Sequence, residues 1–105
     1  MTIMESTTHW ETRHSRYDFI KNKIGIGFPI RMFILDKGHP DGPEIHTLTN
    51  TGIVIVRNAL TDKLITTLIA RPTQIHRYYN SVGEQAPDYI IEIAIKHTLA
   101  GYHHK

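Results

Sequence analysis

The sequence predicts an α+β fold: an N-terminal helix, a twisted antiparallel sheet of three to four strands, and C-terminal helices packed on one side of it. Three observations carry the prediction. Apolar residues recur at helical spacing ahead of Gly25 and again beyond Pro72. Between them lie runs rich in Val, Ile and Thr, punctuated by Gly, Pro, Asn and Asp, which is how strands and hairpins read. Within Glu44 to Tyr79, a strand carrying His46 reaches a turn at Asn50-Thr51-Gly52, and two further apolar strands follow, joined by Asn58 to Asp62.

Taken in order, Thr7 or Thr8 can cap a helix from about His9 to Lys23, and Glu11, three residues after Thr8, completes a capping box. Trp10, Tyr17, Ile20 and Ile24 form its apolar stripe and should face the sheet, while His9, Arg13 and Arg16 form a neighbouring polar stripe. Gly25, Gly27 and Pro29 end it. Arg31 to Leu35 is a short apolar strand, and Asp36 to Pro43, with two prolines and two glycines, is a loop. Glu44 to Thr49 pairs with Gly52 to Arg57, and Lys63 to Ala70 follows. The last of these is apolar on both faces apart from Lys63, Thr66 and Thr67, which marks it as a central strand. Pro72 opens a helix through Tyr79. Pro87 opens a last helix stopped by Gly101, although alternation of Ile91, Ile93 and Ile95 also allows a strand over Tyr89 to Ile95. Residues 1–7 and the tail Tyr102 to Lys105 read as flexible ends.

With 105 residues, 40% hydrophobic and 21% charged, the chain is one globular domain over 1–105. It has no cysteine, which excludes a disulfide framework and cysteine-based zinc sites. No apolar run approaches the ~20 residues of a membrane helix and Met1 to Trp10 has no signal-peptide core, so a cytoplasmic location without membrane association is expected. The net charge is only +2, but Arg13, Arg16, Lys21, Lys23 and Arg31 crowd the first third, and Arg57, Lys63, Arg71 and Arg77 lie in or beside the hairpin. Such a distribution suits a phosphate-bearing partner, and it also describes an ordinary solvated surface.

Eight histidines raise the question of a metal. No HxxxH or HExxH spacing exists and no acidic cluster accompanies them, so neither a metal site nor a cofactor is expected. Gly25-Ile26-Gly27 lacks the rest of a phosphate-binding P-loop, and no Ser-His-Asp spacing appears. Metal-free RNA cleavage needs a base for the 2′-hydroxyl, an acid for the leaving oxygen and cations for the charged transition state. His46, Thr66 or Thr67, Lys63, Arg71 and Tyr78 meet those needs if the sheet gathers them; equally, His46 could be a strand histidine bonded to its neighbours. Arg71, Gln74, Arg77 and Tyr78, at i, i+3, i+6 and i+7, would give one helix face with phosphate donors and a ring for stacking on a base. The alternative there is a surface helix with only Ile75 and Tyr79 in the core.

Two stretches, THWETRHSRYDFI and KLITTLIARP, resemble the leading helix and the late strand of the small ribonucleases grouped as the barnase, EndoU, colicin tRNase and RelE superfamily. The resemblance implies a helix followed by an antiparallel sheet, metal-independent RNA cleavage, and RNA as partner, with room for an antitoxin or immunity protein. By position it implies His9 and Arg13 on the helix, His46 on its strand, Lys63 and Thr66 on the late strand, and Arg71 beyond it; Tyr78 is a looser match. Pro87 to Leu99 and the loop Asp36 to Glu44 have no counterpart in the pattern. The expectation is a toxin-type or phage-associated endoribonuclease with His46 or His9 as base and Arg71, Lys63 and Arg13 on the phosphate. Its rival is a non-enzymatic module, an inhibitor or immunity-type protein, that docks a protein.

Overall fold

The computed structural model describes residues 16–104 and has the expected α+β architecture. Residues 16–19 are α-helical and run into a π-helical turn, Ile20–Ile24; together they are α1. Strands β1 (Pro29–Leu35), β2 (Glu44–Thr49), β3 (Ile53–Asn58) and β4 (Leu64–Ile69) follow, then α2 (Pro72–Ser81), α3 (Asp88–Leu99) and a 3₁₀ turn, Tyr102–His104. The capping box at Thr8 and Glu11, with His9, Trp10 and Arg13, lies outside the described residues.

The sheet is an antiparallel meander in the order β1-β2-β3-β4. Because spatial order follows chain order, β4 is an edge strand, and the central position expected for it belongs to β2 and β3. A bulge explains the apolar residues on both its faces: Arg57 pairs with Leu64 but Val56 with Thr66, so Ile65 is extra and packs against the core, while Leu64 is exposed. A second irregularity in β1 does the same for Ile30.

Helices α2 and α3 cover one face. Phe33, Leu48, Val54 and Val56 of the sheet pack with Ile75, Tyr78, Tyr79, Ile90 and Ala94 in a single buried cluster. Phe33 stacks on Tyr78 (centroids 5.0 Å apart, planes at 13°) and meets Tyr79 edge-on at 5.2 Å, arrangements that aromatic quadrupoles favour. Residues 88–99 form a helix, so the strand alternative fails. Ile90 and Ala94, one turn apart, are wholly buried, whereas Ile91, Ile93 and Ile95 are half-buried to exposed; burial follows a period of 3.6, not 2.

The Asn50-Thr51-Gly52 turn gathers distant pieces of chain. The Thr51 hydroxyl lies 2.7 Å from the Gly25 carbonyl and 2.9 Å from that of Ile26. Asn50 Oδ1 accepts from the Phe28 N–H at 2.8 Å, and the Thr51 carbonyl accepts from His97 Nε2 of α3 at 2.7 Å. Gly27 fits there only as glycine: its φ is +74°, and a Cβ would lie 2.1 Å from Asn50 Oδ1.

Tyr102, the first residue of the tail expected to be flexible, makes ring contacts with the body of the fold. The Tyr102 ring meets Phe19 edge-on at 5.2 Å and lies 5.6 Å from the His97 ring. Among the described residues no helix is long and apolar enough to cross a membrane.

Candidate functional site

Two arrangements of polar side chains stand out, and α2 joins them. The first is a buried line. His46 is only 6% exposed. Its Nε2 lies 2.9 Å from Glu44 Oε1 and its Nδ1 lies 2.6 Å from the Tyr78 hydroxyl. The Gln74 amide Nε2 donates to that hydroxyl at 3.3 Å, while Gln74 Oε1 accepts from the Arg71 N–H at 3.4 Å. A carboxylate at Glu44 can only accept, so His46 Nε2 carries the proton in the neutral ring; Tyr78, accepting from Gln74, then donates to Nδ1. Burial raises the Tyr78 pKa above the usual phenol value, with Gln74 pulling the other way and the Glu44 charge adding to the rise. Tyr78 therefore stays protonated and is a donor at neutral pH. Every member of the line has its partner, and among the described residues no buried side-chain polar atom lacks one.

This changes the roles available to two expected residues. With both ring nitrogens engaged, His46 has no face to offer a solvent-borne 2′-hydroxyl. Tyr78 spends its ring in the core against Phe33, so it cannot stack on a base. Thr66 lies in one cross-strand row with Phe33, His46 and Val56, two strands away from His46, roughly 10 Å at ordinary strand spacing. Among the described residues its hydroxyl bonds only the neighbouring Thr67 carbonyl, at 3.4 Å. Lys63 is exposed beyond the start of β4, where it lines a hollow of about 440 Å³ with His39, Asp41, Glu44 and Asn58. Arg77 is exposed on α2.

The second arrangement is a cleft of about 240 Å³ between α1, the end of β4, the start of α2 and the C-terminal turn, lined by Arg16, Leu68, Ile69, Arg71, Gln74, Tyr102 and His103. Three expected residues, Arg16, Arg71 and Gln74, meet here from two separate helices. Pro72 at the first helical position puts Arg71 at the N-cap in extended conformation (φ −87°, ψ 155°), and the hydrogen bond from its N–H fixes Gln74 one turn on. Among the described residues the Arg71 guanidinium has no ion pair, and no carboxylate lines the cleft.

His103 and Tyr102 escaped the sequence reading. His103 Nε2 lies 3.1 Å from the Ala70 carbonyl and its Nδ1 3.1 Å from Thr98 Oγ1, whose own hydrogen is directed to the Ala94 carbonyl at 3.0 Å. A signal for the turn was present: Gly101, at φ +75° just past the helix end, followed by an aromatic residue, is the pattern in which the second residue after the cap packs back onto the helix.

The chain was compared with family models, curated proteins and solved structures, and no match was found.

Proposed function

We propose that the protein is a metal-independent endoribonuclease of the cytoplasm that holds an RNA phosphodiester in the cleft lined by Arg16, Arg71, Gln74 and His103. The observation that supports this reading is the convergence of two arginines, a histidine and an amide on one cleft that, among the described residues, no carboxylate lines. Arginine forks match phosphate oxygens bidentately, and their charge stabilises the additional negative charge of the pentacoordinate transition state. The 2′-oxygen attacks phosphorus as its proton passes to a base. The bond to the 5′-oxygen breaks, and that oxygen takes a proton from water, because both His103 ring nitrogens are held by Ala70 and Thr98. With the His46 nitrogens engaged, His9 is the remaining base of the expected pair; in the sequence it falls on the helical stripe of Arg16. The Glu44–His46–Tyr78–Gln74 line acts at one remove, holding Gln74 and the start of α2 in place.

The test is incubation of purified protein with total RNA in EDTA, resolved on a denaturing gel. Discrete fragments are expected, with Arg71→Ala slowing their appearance about 100-fold or more. RNA that stays intact at high protein concentration overturns the reading.

One observation favours the rival, a module that docks a protein: Met32 and Ile34 project from β1 at 60% and 74% exposure, on the sheet face away from α2 and α3. On that reading Met32→Lys and Ile34→Lys abolish a stable complex with the partner, and replacement of Arg71 leaves the complex intact. An effect of the protein on growth that survives Arg71→Ala but not Ile34→Lys would favour docking over cleavage.

A further inference from the structure

Beside the cation cleft lies a second hollow, of about 260 Å³, between the start of α2 and the end of α3, lined by Arg71, Pro72, Thr73, Ile95, Thr98 and Leu99. The two are adjoining compartments. Arg71 lines both, and Thr98, in the wall of the second, holds His103 of the first. Their characters differ: the first presents cationic and amide groups, while the second is mostly apolar and carries Leu99, which is 81% exposed. Polar groups that bind charge and an apolar shelf sharing one arginine match a ligand whose charged and flat apolar parts are covalently joined.

We propose that this hollow is a nucleobase subsite, taking the unpaired base of the nucleotide whose phosphate lies in the cleft. The inference rests on the phosphate reading above and adds what contacts the base. Ile95, Leu99 and Pro72 supply apolar surface for a ring face, and the planar Arg71 guanidinium can stack on it while another of its edges meets the phosphate. At about 260 Å³ the space is below that of drug-sized pockets and suits a single heterocycle. Thr98 is committed to Ala94 and His103, so the polar side chain left beside it is Thr73, whose hydroxyl both donates and accepts and so matches the edges of all four bases. The subsite therefore favours an unpaired base over a paired one without strong preference among bases.

The probes are a short single-stranded RNA with non-cleavable 2′-O-methyl sugars and a series with one abasic position each, followed by fluorescence anisotropy in EDTA. One abasic position is expected to weaken binding about tenfold, the scale of one stacked base. Leu99→Ser is expected to weaken binding of the intact oligonucleotide by a similar factor and to leave that abasic one unchanged. Leu99 is exposed, so the variant folds, which its melting temperature checks. Equal binding of all abasic members by the wild type, or equal loss by Leu99→Ser on both probes, overturns the subsite. Arg71→Ala separates the two levels. Binding that depends on Arg71 but not on any base leaves the phosphate reading standing and ends the subsite; binding indifferent to Arg71, or absent, ends both.

Discussion

The His46 imidazole and the Tyr78 hydroxyl, 32 residues apart in sequence, share a buried 2.6 Å hydrogen bond that ties β2 to α2. It is the centre of a line running from Glu44, in the hollow beside Lys63, to Gln74, in the cation cleft.

Breaking that line should cost stability first. His46→Ala leaves the Tyr78 hydroxyl short of a partner and opens space in the packed face; a loss of about 2–4 kcal/mol is expected. Tyr78→Phe keeps the ring against Phe33 and should cost about 1–2 kcal/mol. Urea unfolding measures both. A His46→Ala protein as stable as the wild type would show that the line is not structural.

The raised Tyr78 pKa sets a sign for alkaline pH. The folded state holds the phenol proton more tightly than the unfolded chain, whose phenol titrates near 10. The resulting stability is complete below that pH and is lost as pH rises through the folded value. Tyr79, also raised by burial, contributes in the same direction. Tyr78→Phe should therefore flatten the fall in stability above about pH 10, as read by urea unfolding at a series of alkaline pH values. An unchanged slope would count against the buried, protonated phenol.

At the β2–β3 turn, Thr51→Val removes the hydroxyl that lies between two carbonyls and should cost about 1 kcal/mol. Gly27→Ala should cost more, about 2 kcal/mol or above, because the left-handed backbone and the clash with Asn50 add. Thermal melts rank the two, and a Gly27→Ala protein as stable as Thr51→Val would contradict the close approach.

The C-terminal turn should stabilise the fold. Deleting residues 102–105 removes the ring packed on Phe19 and the His103 bond to Ala70, so a lower melting temperature is expected from differential scanning fluorimetry, together with weaker RNA binding. A truncated chain that melts with the full one would mean the turn adds nothing.

The strands and helices were legible because their signals are local: Val, Ile and Thr runs, the Asn50-Thr51-Gly52 turn and Pro72 ahead of α2 each act within a few residues. What was missed depends on neighbours distant in the chain. The edge position of β4 follows from strand order, which no strand's own pattern contains, and its two apolar faces come from the bulge at Ile65. The spacing of Arg71, Gln74, Arg77 and Tyr78 gave a common helical face, but Phe33 from β1 drew Tyr78 into the core and left Arg77 in solvent. The partners of His46 at 2 and 32 residues' distance decide between base and buried brace, and only the fold supplies the second. Of the cleft, Arg16, Arg71 and Gln74 were read from sequence, whereas His103 required the turn after Gly101.

The meander has a kinetic consequence. Each strand pairs with the strand next to it in sequence, through connections of eight, three and five residues between the strand limits, so closing each pairing costs little chain entropy. The β2–β3–β4 hairpins can assemble early by that measure. Two bonds that span long stretches, His97 to Thr51 and Arg31 to Glu84, can form only after α3 and the segment following α2 have docked. The cation cleft needs α1, β4, α2 and the final turn together, so by the same measure it is expected to complete late in folding.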